Sequence, residues 1–139
     1  MSFPTPTLTD VNRPYWDALS KGRLTYQCCD ACGNAWLPAR ANCPRCLSPS
    51  ARWMDASGRA RIVSWVVYHT AYADHLKDRV PYDVTLVELE EGPRLLTNVV
   101  DSEAGKCLTP GAPVILSVET EEGVAVPRFR LVSIGDKEE

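Results

Sequence analysis

From about Arg52 onward, β-branched and aromatic residues alternate with polar ones in short runs, and turn residues interrupt them at the spacing of an all-β barrel. The pattern predicts five to six strands, at approximately 52–56, 59–69, 83–90, 94–101, 113–119 and 127–132. Turns are expected at Ser57-Gly58, Glu91-Gly92-Pro93, Thr109-Pro110-Gly111 and Glu121-Glu122-Gly123. A long loop over 70–82 breaks the pattern; it carries His75, Lys77, Asp78 and Arg79 and ends in Val80-Pro81-Tyr82. Upstream the texture is different. Residues 1–9 hold Pro4, Pro6 and three threonines, the composition of an extended arm. Asp10 or Asn12 can then cap a short helix, with Pro14 in its first turn, Tyr15, Trp16 and Leu19 on one face and Gly22 as its stop. Such a stripe is ordinarily core. A helix of about ten residues behind a proline-rich arm has little of its own domain to pack against, however, so the stripe also reads as an anchor for a partner's groove.

Between helix and barrel the hydrophobic pattern gives way to cysteine spacing. Arg23-Leu24-Thr25-Tyr26-Gln27 reads as a strand leading into Cys29-x2-Cys32, and Asn34 to Arg40 returns to Cys43-x2-Cys46, with ten residues between the pairs. Two such turns facing each other complete a tetrahedral shell of four thiolates, the arrangement of a zinc ribbon. Gly33, directly after Cys32, can take the positive φ that turns backbone amides toward sulfur. Zinc is the expected ion and iron the alternative that the same cage accepts. A closed four-sulfur site leaves no position for water or substrate, so its expected role is structural. Its formal charge of about −2 could be offset by Arg40, Arg45 and Arg52. Cys28 permits a slipped register with Cys32, but C-x3-C is the poorer ligand spacing. Cys107 has no partner at ligand spacing and reads as a free thiol. A redox dithiol would need a single C-x-x-C beside a βαβ pattern, which the chain lacks.

At 139 residues the chain can form one modest core and a stapled appendage. The expected division is an arm and helix over 1–23, a ribbon over 24–48, a barrel over 49–135 and a solvated tail over 136–139. The formal charge of −3 argues against nucleic acid as the main partner. Trp53, Trp65, Tyr68, Tyr72, Tyr82 and Phe129 are scattered along the barrel segment, and acidic stretches run from Glu88 to Glu91 and from Glu119 to Glu122. A single-stranded nucleic-acid-binding OB protein is therefore the rival class, not the leading one. No apolar run approaches the roughly 20 residues of a membrane span, and the N-terminus lacks the segments of a secretory signal, so a cytoplasmic protein is expected. His69 and His75 are the candidate bases, yet no Ser/His/Asp order, no cysteine beside a histidine and no phosphate-binding glycine loop accompanies them. Catalysis by this chain alone is not expected.

The order of these elements, with Tyr15-Trp16 and Leu19, Gly22-Arg23-Leu24, Gln27-x-Cys29-x2-Cys32-Gly33, Pro38-x-Arg40, Cys43-Pro44-x-Cys46, Trp53, Ser57-Gly58, Val80-Pro81-Tyr82, Val87-Glu88-Leu89 and Pro127-Arg128-Phe129, carries a resemblance over nearly the whole chain. It resembles the acyl-CoA-associated OB-fold proteins with a rubredoxin-like zinc ribbon, once catalogued as a domain of unknown function. One departure is Cys28, where the resemblance leads one to expect a basic residue. The resemblance implies a mainly β protein: an N-terminal helix that docks onto a partner, a ribbon that stiffens it, and a five- to six-stranded OB barrel bordering a coenzyme A channel. It implies a noncatalytic subunit of an acyl-CoA-processing complex, first of all the partner of a thiolase-like enzyme, for example a benzoylsuccinyl-CoA-type thiolase of anaerobic aromatic degradation. The alternative it implies is a hydratase or aldolase partner in steroid side-chain breakdown. Lys77, Arg79, Tyr82 and Arg128 are the expected contacts for the coenzyme A moiety, since its phosphates suit arginine and lysine.

Overall fold

The computed structural model describes residues 5–132. The first residues of the arm and the tail at 136–139 lie outside them. Helix α1 (Arg13–Ser20) follows Asn12, whose side chain bridges back into the arm: Oδ1 accepts from the Thr9 amide at 2.8 Å and Nδ2 donates to the Thr7 carbonyl at 3.0 Å. The helix ends in a double hydrogen bond, Gly22 N to Leu19 O and Arg23 N to Ala18 O, closed by Gly22 at φ +82°. The expectation that the helix lacks a core of its own is corrected here. Tyr15, Ala18 and Leu19 are buried, and Tyr15 and Leu19 share one cluster with Leu24, Ile62, Val87, Leu89, Val114 and Phe129. A helix this short is stable because the barrel and ribbon cover its apolar face.

The ribbon is a three-stranded antiparallel sheet in the order β2 (Ala35–Trp36), β1 (Thr25–Cys29), β3 (Ala51–Asp55). Residues 52–56 were expected as the barrel's first strand. They form β3, which instead pairs along the full length of β1, from Thr25 opposite Asp55 to Cys29 opposite Ala51. Ser57-Gly58 turns the chain just after β3, with Gly58 at φ +93°, so β3 ends where the barrel begins.

The barrel has five strands, in the order β10 (Phe129–Leu131), β7 (Pro113–Leu116), β4 (Arg59–Tyr68), β5 (Tyr82–Leu89), β6 (Arg94–Thr97). A parallel bridge between Val99 and Phe129 closes the two edges, with Phe129 N bonding Asn98 O and Val100 N bonding Phe129 O. Closure of a five-stranded sheet through one parallel contact is the OB arrangement. The expected strand 113–119 is split into β7 and β8 (Glu119–Glu121), and β8 forms a separate hairpin with β9 (Val124–Val126). Glu122 and Gly123 make its two-residue turn at φ +50° and +86°. Along β5 burial alternates strictly, and the inward positions are Asp83, Thr85, Val87 and Leu89. Half of that inward face is therefore polar.

Candidate functional site

Two features stand out: a sulfur cluster in the ribbon and a cleft on the barrel. The sulfurs of Cys29, Cys32, Cys43 and Cys46 all lie within 4.8 Å of one another, with Cys29 to Cys46 at 3.5 Å and Cys32 to Cys43 at 3.7 Å. Zinc–sulfur bonds of about 2.3 Å at tetrahedral angles separate neighbouring sulfurs by about 3.8 Å, so the donor set fits that ion. Both knuckles have the same build. Ala31 N and Cys32 N point at Cys29 Sγ at 3.3 and 3.4 Å, and Arg45 N and Cys46 N point at Cys43 Sγ at the same distances. Gly33 closes the first knuckle at φ +78°; its counterpart in the second is Leu47 at φ +69°, an exposed leucine in a glycine conformation.

These amides tune the thiols. The Cys32 amide is the main reason that the Cys29 thiol is lowered. Burial pushes Cys43 up, but the amides of Cys46 and Arg45, with Cys32 and Asn34, outweigh it and bring it to about 6. At Cys46 the Ser48 amide lowers the thiol, yet the other three sulfurs and burial together push it up to about 12. A fourth charged sulfur is thus costly without a divalent cation at the centre of the cage, and with one the cost is removed. Cys28 stands on β1 outside the cluster, its Sγ facing the Gly33 carbonyl at 3.8 Å. Of the arginines expected to offset the sulfur charge, Arg52 pairs with Asp30, and the Arg40 backbone is held at both ends by Gln27, N to Oε1 at 2.7 Å and O to Nε2 at 3.0 Å.

The cleft, of about 470 Å³, lies between the 76–83 segment, the 98–104 segment and the β8–β9 hairpin. It gathers Arg79, Tyr82 and Arg128. Lys77 is not part of its lining and pairs with Asp74 at 3.2 Å on the surface. The two arginines converge on one carboxylate. Arg79 holds Glu121 in a bidentate pair at 2.9 and 2.7 Å, and Arg128 Nη1 reaches Glu121 at 2.6 Å and Glu119 at 2.9 Å. These hydrogen bonds, Arg79's first, bring Glu121 down to about 2. Arg128 is only 8 % exposed, and its Nε–H is buried with no acceptor among the described residues.

Sequence reasoning missed the floor of this cleft. Asp83, 4 % exposed, accepts from Thr85 Oγ1 and from Val99 N at 2.9 Å, and its other oxygen accepts from Ser102 Oγ at 3.2 Å. Ser102 Oγ accepts in turn from Gly105 N at 3.1 Å. The buried carboxylate thus holds a loop in which Glu103, Ala104 and Gly105 all have positive φ, at 55°, 57° and 87°. Non-glycine residues in this region carry strain, and strain of this kind collects at functional sites. A second correction concerns the tyrosines read as scattered. Tyr68 and Tyr82 are cross-strand partners at the end of β4 and β5 with centroids 5.4 Å apart, and Tyr72 stands 6.0 Å from Tyr68. The signal was their placement at the two ends of the long loop. His69 borders a shallow cavity with Tyr68 and Tyr72; the side chain of His75 lies outside the description. An apolar groove of about 630 Å³ also runs between Trp16 of α1, Leu37 of the ribbon and Leu95, Leu96 and Val126 of the barrel.

Residues 16–50 match the family described as the ChsH2 rubredoxin-like zinc ribbon domain, and residues 53–119 match the ChsH2 C-terminal OB-fold domain. The chain is 36 % identical over 97 residues to a DUF35 domain-containing scaffold protein of Methanothermobacter thermautotrophicus, covering 69 % of this chain and 72 % of that one. It is 34 % identical over 128 residues to a probable enoyl-CoA hydratase alpha subunit of Thermomonospora curvata, covering 91 % of this chain but only 39 % of that relative's length. Among solved structures, a chain of the Ltp2-ChsH2(DUF35) aldolase superposes with a TM-score of 0.81 at 32 % identity, over 93 % of this chain and 100 % of that one. A DUF35 protein of unknown function from Sulfolobus solfataricus shares the fold, with a TM-score of 0.63 at 16 % identity over 88 % and 85 % of the two chains.

Proposed function

The chain belongs to the DUF35 family, the ChsH2-type union of zinc ribbon and OB fold, and from that membership we propose that it is a noncatalytic scaffold subunit of a hydratase or aldolase acting on acyl-CoA thioesters. The observation that carries this reading is the full-length match to a chain of an aldolase complex. The match to part of a longer hydratase alpha subunit supports it, because the same module then recurs beside two different chemistries. The relatives' names favour these partners over the thiolase-like enzyme first expected. In this reading the chemistry is the partner's. The ribbon, its four cysteines closed on zinc, contributes rigidity, and a closed thiolate cage offers no site for substrate.

The coenzyme A moiety is assigned to the barrel cleft, with Tyr82, Arg79 and Arg128 in its lining and Lys77 outside it. Among the described residues, the buried polar set of Asp83, Thr85 and Ser102 contains no histidine or lysine to act as a base, and its hydrogen bonds serve the loop above it. Affinity purification of the tagged chain from its host at low salt tests the proposal. Recovery of a hydratase or aldolase subunit in fixed ratio supports it, recovery of a thiolase replaces the enzyme class, and recovery of nucleic acid alone overturns it.

A further inference from the structure

The seam that closes the barrel is sealed over only part of its length. Phe129 N bonds Asn98 O at 3.0 Å, Val100 N bonds Phe129 O at 2.8 Å, and Thr97 Oγ1 donates to Pro127 O at 2.9 Å. There the two segments part: β9 pairs with β8 and packs against α1, while β6 runs on alone. β6 therefore keeps a free edge. Leu89 N bonds Pro93 O at 2.8 Å, and in the register that sets Val87 opposite Leu95 and Thr85 opposite Thr97, this assigns the ladder hydrogen bonds with β5 to Leu95 and Thr97. The N–H and C=O of Arg94 and Leu96 point the other way, as the Asn98 carbonyl does, and have no partner among the described residues. The apolar groove of about 630 Å³ borders this edge, since Leu95, Leu96 and Thr97 line it together with Trp16 and Leu37. Leu96 is 66 % exposed.

An unpaired edge beside an apolar groove fits an extended polypeptide: the edge supplies main-chain hydrogen bonds, and the groove takes alternate side chains. A helix or an acyl chain seated there would cover these backbone groups without pairing them. We propose that β6 and its groove take up an extended apolar segment of the partner enzyme subunit as an added strand, which continues the barrel sheet along Arg94–Thr97. The inference rests on the scaffold reading above and deepens it. Arg94 is the one charged side chain in the groove lining, so the segment carries no basic residue where it pairs. A second copy of this chain fits worse. β6 has four residues, and two such edges fall well short of the roughly 1,200 Å² that a stable interface buries. A segment of a subunit already attached elsewhere binds at a high effective concentration and needs no more edge than this.

Hydrogen exchange read by amide NMR tests this on the isotope-labelled, metal-loaded chain, alone and bound to the unlabelled hydratase or aldolase subunit recovered with it. In the free chain the Leu96 amide should exchange fast, and those of Leu95 and Thr97 slowly. In the complex the Leu96 and Arg94 amides should slow by about 10-fold or more, as donors that gain a partner do. Leu96→Pro removes the outward N–H and spares the ladder with β5, and it should weaken the complex by at least about 10-fold. Unchanged exchange at Leu96 on binding overturns the added strand, and so does full affinity of a folded Leu96→Pro. If that variant does not fold, the exchange data on the wild type decide alone. Recovery of no enzyme subunit fails the scaffold reading itself, and this inference with it. Slow exchange at Leu96 in the isolated chain means another occupant already holds the edge. Loss of that protection on dilution identifies a second copy, loss on deleting residues 1–8 identifies the chain's own arm, and either result overturns the proposal.

Discussion

Leu19 tests whether α1 belongs to this chain's core or to a partner's groove. The side chain is 1 % exposed and sits in the cluster with Tyr15, Leu24 and Phe129, so Leu19→Ala leaves a cavity inside the chain itself. Truncating a buried leucine costs roughly 2–5 kcal/mol, the transfer free energy of the lost methyl groups plus the cavity. The neighbours include the rigid barrel strands β5 and β10, which limits collapse into the space, and about 3 kcal/mol is the expected loss. For a chain of this length each kcal/mol moves the melting temperature by about 4 °C, which gives a drop of about 12 °C. The assay is thermal and urea unfolding of the isolated, metal-loaded chain followed by circular dichroism. Leu96→Ala is the control, because Leu96 is 66 % exposed on the groove and should change stability by less than about 0.5 kcal/mol. Should Leu19→Ala match that control in the absence of any partner, the helix does not belong to the core and the account of its packing is wrong.

Chelation of the metal should melt more than the ribbon cysteines, since β3 pairs with β1 throughout; protease sensitivity should extend over 24–55, and an unchanged digest after verified metal loss would refute the staple. Gly105→Ala should destabilise by about 2 kcal/mol, because φ +87° disfavours a side chain and the added Cβ would lie 2.6 Å from Val67 Cγ2; denaturant titration reads the loss, and a neutral result would mean the loop shifts freely. The Glu121 carboxyl is held at about 2, below its ordinary 4.5, so its pairing stabilises the fold fully above pH 4.5 and is lost as pH falls from there toward 2. Urea midpoints measured down that range should fall more steeply for the wild type than for Glu121→Gln, and parallel curves would refute the pairing.

Strand positions and the cysteine cage were legible because each rests on a local rule. β4 and β5 announce themselves by β-branched runs between turn residues, and two C-x2-C pairs ten residues apart carry the spacing of one four-thiolate site. What stayed hidden depends on contacts between distant segments. The strand at 51–55 has the same local appearance whether it pairs with β1 or with the barrel, and only the pairing itself decides. Asp83 stands at an inward position of β5 because Ser102 and the Val99 amide, distant in sequence, bond its carboxylate, and nothing in the local pattern marks that. The arginines at 79 and 128 suggested phosphate from their chemistry, but that a glutamate from a hairpin already occupies them could not be read, because only the turn at Glu121-Glu122-Gly123 was legible and the short strands on either side of it were not.

The single parallel contact between Val99 and Phe129 bears on how a chain leaving the ribosome becomes this molecule. The cysteine knuckles come early in chain order, and β1, β2 and β3 can assemble around a metal while the barrel is still incomplete. β10 follows every other strand, and until it arrives the edge at Asn98 to Val100 stays open to any other extended segment. Among the described strands, the edge that Phe129 covers is thus the last to be sealed in chain order.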